Sequence, residues 1–152
     1  MSTAAVVMAA GKGTRMRSHL PKPLVPLAEK PLVAYLLEAI SEAGIDRSIV
    51  VVGHGAARVR SALGPDIQTA IQPVLSGTAS AVEAAQSTVG DANEVMVTVG
   101  DSPLLTAQSI ERLLAHHRKT GAMCTFLTAH FERHFPYGRV LRGPDGRVTG
   151  CV

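Results

Sequence analysis

Ala4-Ala5-Val6-Val7-Met8-Ala9-Ala10-Gly11-Lys12-Gly13-Thr14-Arg15-Met16 is the stretch from which the rest of the chain can be read. Ala4 to Met8 is a short apolar run and is expected to be a buried first strand. Gly11 and Gly13 follow it at once. Two glycines so close allow a tight turn and a close approach of the backbone to a ligand. Exposed N–H groups in such a turn can point at phosphate oxygens. Lys12, Arg15 and Lys22, the last within Leu20-Pro21-Lys22-Pro23, add three cations. A buried strand, a glycine turn and clustered cations point to a site for a phosphorylated nucleotide. The plainer alternative is a glycine-rich strand-to-helix turn with solvated cations.

Two common phosphate loops are excluded. A P-loop needs Gly-Lys-Ser/Thr after a spaced glycine, and here Lys12 is followed by Gly13. The dinucleotide fingerprint needs a third glycine where Met16 stands.

Beyond the loop the pattern alternates. Leu32, Leu36, Ala39, Ile40 and Ala43 share one face of a helix that Pro31 can open and Gly44 can end. Ile49 to Val52 is expected to be a second strand, closed by Gly53-His54-Gly55. A short helix is expected from Ala57 to Leu63, a third strand from Ile67 to Ile71 and a helix from Ala79 to Ser87. Val95 to Val99 is expected to be a fourth strand, ending in Gly100-Asp101-Ser102-Pro103. Thr106 is a candidate N-cap for a helix carrying Ile110, Leu113, Leu114 and His117, stopped by Gly121. Met123 to Thr128 reads as a fifth strand, and Pro144-Asp145-Gly146 as the turn of a hairpin.

Strands alternating with helices imply an α/β fold, a Rossmann-like three-layer sandwich with a mostly parallel sheet and right-handed crossovers. Four motifs then follow strand ends directly: 9–16, 53–55, 72–78 and 100–103. In an open parallel sheet those ends share one edge, where ligands bind at the topological switch point.

Asp101 stands where a strand stops. Beside bound phosphates a carboxylate would be repelled unless a cation lay between them, and magnesium favours one or two carboxylates plus phosphate oxygens. Alternatively Asp101 only forms a turn by bonding its own backbone. Gln72 can both donate and accept, which suits a base edge. Gly77 permits close approach, and Thr78 can donate to a ribose or phosphate or simply cap a helix.

Met8-Ala9-Ala10-Gly11-Lys12-Gly13-Thr14-Arg15-Met16 followed by Leu20-Pro21-Lys22 resembles the signature of sugar-1-phosphate nucleotidyltransferases. Gln72 with Gly77-Thr78-Ala79, Gly100-Asp101-Ser102-Pro103-Leu104-Leu105-Thr106 and Tyr137-Gly138-Arg139-Val140 narrow the likeness. Together they resemble the uridylyltransferase domain of bacterial N-acetylglucosamine-1-phosphate uridylyltransferases, which usually accompanies an acetyltransferase. The resemblance implies the nucleotide-diphospho-sugar transferase type of fold. It also implies transfer of a nucleotidyl group from a nucleoside triphosphate, UTP, to a sugar 1-phosphate, N-acetylglucosamine 1-phosphate, with release of pyrophosphate. Ala10, Gly11, Gln72, Gly77 and Thr78 would hold the uridine, with Lys12, Gly13 and Thr14 completing the nucleotide loop. Arg15 and Lys22 would hold phosphates in the catalytic step, Lys12 would help Arg15 with the leaving pyrophosphate, Asp101 would bind Mg2+, and Gly138 would contact the sugar. Val99, Ser102 and the Pro73-to-Ser76 filling depart from the common pattern, and Lys22-Pro23-Leu24-Val25-Pro26-Leu27 also resembles thymidylyl- and guanylyltransferases. A different base or sugar, or a nucleotide-binding fragment without turnover, are the alternatives. The resembled domain is longer, so residues 1–152 are expected to be a nucleotidyltransferase domain truncated on its C-terminal side.

Composition bounds the rest. With 152 residues, 46% of them hydrophobic, the chain can bury a real core. A net charge of +3 and 3% aromatics argue against a nucleic-acid partner, which would want a basic field and stacking platforms. No apolar run approaches the ~20 residues of a membrane span. Cys124 and Cys151 lack the spacing of a disulfide framework or zinc site, and the six histidines are scattered. His116 and His117 are neighbours on one expected helix and cannot share a face. The expected partners are a nucleoside triphosphate and a sugar 1-phosphate, with no membrane. The expected compartment is the cytoplasm, and oligomeric state is not legible.

Overall fold

The computed structural model describes residues 1–133 and 136–152, with the backbone alone for Arg15. The expected histidine His134 thus lies outside the described residues. The first strand, β1 (Thr3–Met8), forms as its apolar run demands. After the glycine loop come two 3-10 turns, Thr14–Met16 and Lys22–Leu24, and a small antiparallel ribbon of β2 (Pro26–Leu27) and β3 (Lys30–Pro31). Helix α1 (Leu32–Glu42) follows, with Pro31 at its N-cap rather than its first turn. Then come β4 (Arg47–Val52), α2 (Ala56–Leu63), β5 (Gln68–Ile71), α3 (Thr78–Ala84), α4 (Gln86–Val89), β6 (Glu94–Val99) and α5 (Ala107–Thr120). The chain closes with a hairpin of β7 (Val140–Arg142) and β8 (Val148–Cys151).

The main sheet has the order β5-β4-β1-β6, and every pairing in it is parallel. Period-two alternation splits β1 between two cores. Ala5 and Val7 face α1, α2 and α5, meeting Leu36, Ile40, Val59, Ile110 and Leu114. Ala4 and Val6 face the other way, toward Ala81, Ala85 and Val89 on and beside α3 and α4. Helices thus cover both faces, giving the three layers expected of this α/β fold. The core is aliphatic, built from Ala, Val, Leu and Ile with single methionines.

Helix boundaries follow local chemistry. Thr106 caps α5, its Oγ1 accepting from Ser109 N at 3.3 Å. Gly121 closes the same helix at φ 61°, a left-handed turn that glycine adopts without strain. The single helix expected from Ala79 to Ser87 divides at Ala85, which ends α3 and opens α4.

One expected element is absent. Met123 to Thr128 forms no strand, and Met123, Phe126 and Leu127 are exposed. Its apolar pattern marks residues that could be buried, but a strand exists only through a ladder. The neighbouring edge, β6, pairs on one side alone. One face of β6 is bare as well, with Val97 44% exposed beside Val95 and Val99. No helix among the described residues is long and apolar enough to cross a membrane.

Candidate nucleotide-binding cleft

Four strand ends are laced together along one edge. Ala9 N donates to Val51 O at 2.9 Å, and His54 N to Ala10 O at 3.1 Å. Gly100 N donates to Met8 O at 2.9 Å, and Gln72 N to Val52 O at 2.8 Å. These bonds extend the ladder past the strands and fix where each following loop departs. The chain runs from β1 to β4 and β5 on one side, then to β6 on the other side of β1. The switch point therefore lies between β1 and β6, where such sheets bind ligands.

A cleft of about 320 Å³ opens there. Its lining includes Ala10, Gly11, Lys22, Gln72, Gly77, Thr78 and Asp101, all singled out from sequence. Met8, Pro23, Leu75, Ala81 and Val99 supply an apolar floor that the motifs did not announce. They are ordinary core or loop types in sequence, and only the topology brings them to one place. Leu75 and Val99 belong to the positions that depart from the common pattern.

The loop itself is built around Gly13. Its φ is 61°, and a Cβ there would stand 2.6 Å from Lys22 Cβ, so only glycine fits beside that lysine. Met16 N donates to Gly13 O at 2.9 Å and closes the turn. At Gly11 an added Cβ would meet no protein atom within 4 Å. The space it would take is that of the cleft. Lys22 begins its own 3-10 turn, anchored by the buried Pro23 and Leu24.

Lys22 Nζ forms an ion pair with Asp101 Oδ2, and both side chains are about a third exposed. The two residues leave different loops, one after β1 and one after β6, and meet at the cleft. Asp101 thus reaches across to Lys22 rather than folding back on its own turn. The described residues contain no group of three or more His, Cys, Asp or Glu that could cage a metal. A lone carboxylate in a phosphate-sized cleft fits a divalent metal that completes its shell with ligand oxygens and water.

Gln72 is 5% exposed, the one buried polar residue among the described residues. Its Nε2 donates to Gly77 O at 3.0 Å and to Ser80 Oγ at 2.7 Å. Ser80 has no counterpart in the sequence reading. The i, i+3 spacing from Gly77 is its only sequence signal, and that is far too common to notice. Thr78 stands one residue inside α3, with Gly77 at the cap.

Other expected site residues fall elsewhere. Lys12, Gly13 and Thr14 lie in the loop but do not line the cleft. The side chain of Arg15 is outside the described residues. Gly138 precedes β7 by two residues, where a Cβ would be 3.4 Å from Cys151 Sγ, and it does not border the cleft. The sharpest electrostatic feature is at the far end of β6. There Arg118 donates to Glu94 from Nε at 3.0 Å and from Nη2 at 2.7 Å, and these hydrogen bonds hold the Glu94 carboxyl below its ordinary value.

Known proteins share this architecture. The chain is 44% identical to the bifunctional protein GlmU of Exiguobacterium sibiricum over 153 residues, covering 100% of this chain and 34% of that protein. It therefore spans about a third of the length of that relative. A nucleotidyl transferase from Methanothermobacter superposes with a TM-score of 0.64 at 30% identity, over 76% of this chain and 57% of the other. The manganese complex of Rv0371c from Mycobacterium tuberculosis superposes with a TM-score of 0.61 at 25% identity, over 76% and 59%. The family model for the MobA-like NTP transferase domain matches residues 5–144. Strand order, cleft and similarity agree, and the chain belongs to the MobA-like NTP transferase domain family.

Proposed function

We propose that this chain binds a nucleoside triphosphate in the cleft between β1 and β6 and serves transfer of its nucleotidyl group to a sugar 1-phosphate. An oxygen of the sugar phosphate attacks the α-phosphorus, the bond from that phosphorus to its bridging oxygen breaks, and pyrophosphate leaves. The observation that carries this reading is the meeting of Lys22 and Asp101 at the switch point, over a glycine loop. The protein offers no nucleophile of its own. Its residues align the two phosphates and offset charge, the terms that dominate phosphoryl chemistry.

Lys22 neutralises the α-phosphate. Arg15, with Lys12, holds the departing pyrophosphate. Ala10, Gly11, Gln72, Gly77 and Thr78 hold the nucleoside, with Gly13 and Thr14 shaping the loop. Asp101 would hold a divalent metal, proposed to be Mg2+, which would supply positive charge to offset that of the phosphates. The sequence resemblance favours UTP and N-acetylglucosamine 1-phosphate, and a cytoplasmic setting where both would be at hand. Residues 1–152 are read as the nucleotide half of a longer nucleotidyltransferase domain.

A narrower reading has its own support. Gly138, the residue proposed for the sugar, stands just before a hairpin that forms a separate sheet from the main one. Sugar alignment is then poor, and alignment can supply about 7–11 kcal/mol of barrier lowering. The chain alone should bind triphosphate and release pyrophosphate very slowly. A panel of nucleoside triphosphates against sugar 1-phosphates separates the readings, with binding followed by calorimetry and turnover by pyrophosphate release. Binding of UTP with slow, sugar-dependent release is expected. No triphosphate binding, or release indifferent to the sugar phosphate, would refute the reaction.

A further inference from the structure

The hydrogen bonds around Gln72 determine more than its burial. Gly77 O is a carbonyl and can only accept, so the carboxamide atom 3.0 Å from it must be the nitrogen. Ser80 Oγ lies 3.0 Å from the same carbonyl and must give it its single hydrogen. Having donated there, Ser80 can only accept from its other neighbours, Gln72 Nε2 at 2.7 Å and Ser76 Oγ at 2.9 Å. Both hydrogens of the Gln72 amide are thereby taken, one by Gly77 O and one by Ser80 Oγ. Turning the amide over would set oxygen against oxygen at Gly77.

Among the described residues Gln72 Oε1 is left with no protein partner, yet no buried side-chain nitrogen or oxygen among them lacks one. Oε1 is therefore open, and Gln72 lines the cleft. The wall of the site thus presents a fixed acceptor. We propose that Ser80 is a positioning residue for base selection: together with the Gly77 carbonyl it holds the Gln72 carboxamide nitrogen-inward and oxygen-outward, so that the cleft favours a base with a ring N–H over one whose ring nitrogen carries a lone pair. Uracil and thymine offer that N–H, while the ring nitrogen of cytosine is an acceptor and would face Oε1 lone pair to lone pair. The inference rests on reading the cleft as a triphosphate site.

The test compares UTP and CTP binding by calorimetry for the wild-type chain, Ser80→Ala and Ser80→Thr, all with divalent metal present. The readout is the ratio of the two affinities. A misfolded fraction lowers the binding capacity for both ligands and leaves the ratio untouched, so a purely structural role cannot move it. Wild type should prefer UTP, Ser80→Ala should narrow that preference by about tenfold, the scale of one lost hydrogen bond, and Ser80→Thr, which keeps the hydroxyl, should restore it. A ratio for Ser80→Ala within twofold of wild type, or a Ser80→Thr ratio matching Ser80→Ala, overturns the role of Ser80. A wild-type preference for CTP overturns the acceptor orientation itself. A wild-type chain that binds neither triphosphate rejects the site reading along with the inference.

Discussion

Lys22 and Asp101 are paired with each other across the cleft. In the proposed reaction each has a different partner, phosphate for the lysine and metal for the carboxylate, so the ion pair must open on binding. Half-exposed ion pairs are weak, about 0.2–1 kcal/mol, so the opening is easy but measurable. Asp101→Asn should therefore tighten metal-free UTP binding about two- to fivefold, because Lys22 is released and a repelling carboxylate is gone. The same variant should flatten the metal dependence of binding. Calorimetry with and without chelator checks both, and superimposable metal titrations for wild type and variant would return Asp101 to the role of a turn residue. Arg15→Ala should lower pyrophosphate release about 10²–10³-fold with an unchanged circular dichroism spectrum, as loss of a charge-stabilising donor does. At this scale the motifs after β1, β5 and β6 were informative, while Gly53-His54-Gly55 after β4 does not border the cleft. Ala10, Gly11, Lys22, Gln72, Gly77, Thr78 and Asp101 were legible because topology alone carries such residues to one edge. Ser80 was not, since its part depends on which way a neighbouring amide faces, and no spacing encodes that.

Among the elements, α5 ties the starts of β1 and β6 together. Its N-terminus is capped by Thr106, and its last turns carry Arg118 to Glu94 and Thr3. Thr106→Ala should cost about 1 kcal/mol, read as a lower urea midpoint with an unchanged slope. The Arg118 pair makes a pH-dependent contribution. Hydrogen bonding to Arg118 lowers the Glu94 pKa from its ordinary 4.5, so the stabilisation is present above that value and is lost as pH falls through the lower, folded-state value. Thermal midpoints followed from about pH 6 to about pH 3 should fall less steeply in Glu94→Gln than in wild type. The helices and parallel strands were readable because periodicity, caps and glycine stops act locally. The ribbon of β2 and β3 and the coil at Met123 to Thr128 were not, because two-residue strands have no pattern and an apolar run does not say whether an edge will receive it.

For the molecule as a whole, the sheet is unevenly protected. Ile49 is fully buried between β1 and β5, whereas Val97, also in the sheet, is half-exposed. Ile49→Ala should cost about 2–5 kcal/mol and Val97→Thr less than about 0.5 kcal/mol, although both remove apolar atoms from a strand. Urea unfolding of the two variants checks the contrast, and equal losses would mean that the β6 face is covered in solution.

The position of β1 has a consequence for how the chain is made. β1 is the centre of the sheet, yet Thr3 pairs with Glu94 and Ala4 with Arg47. β1 precedes both of its neighbours in the chain and must therefore wait for them. At about 5–20 residues per second, β6 is synthesised roughly 5–20 s after β1. Throughout that interval Ala4 to Val7, fully buried in the folded chain, has at most one flank satisfied. The nascent chain is exposed to aggregation through Ala4 to Val7, and its need for chaperone shelter should end once α5, whose Ile110 and Leu114 pack in the same core as Ala5 and Val7, has emerged.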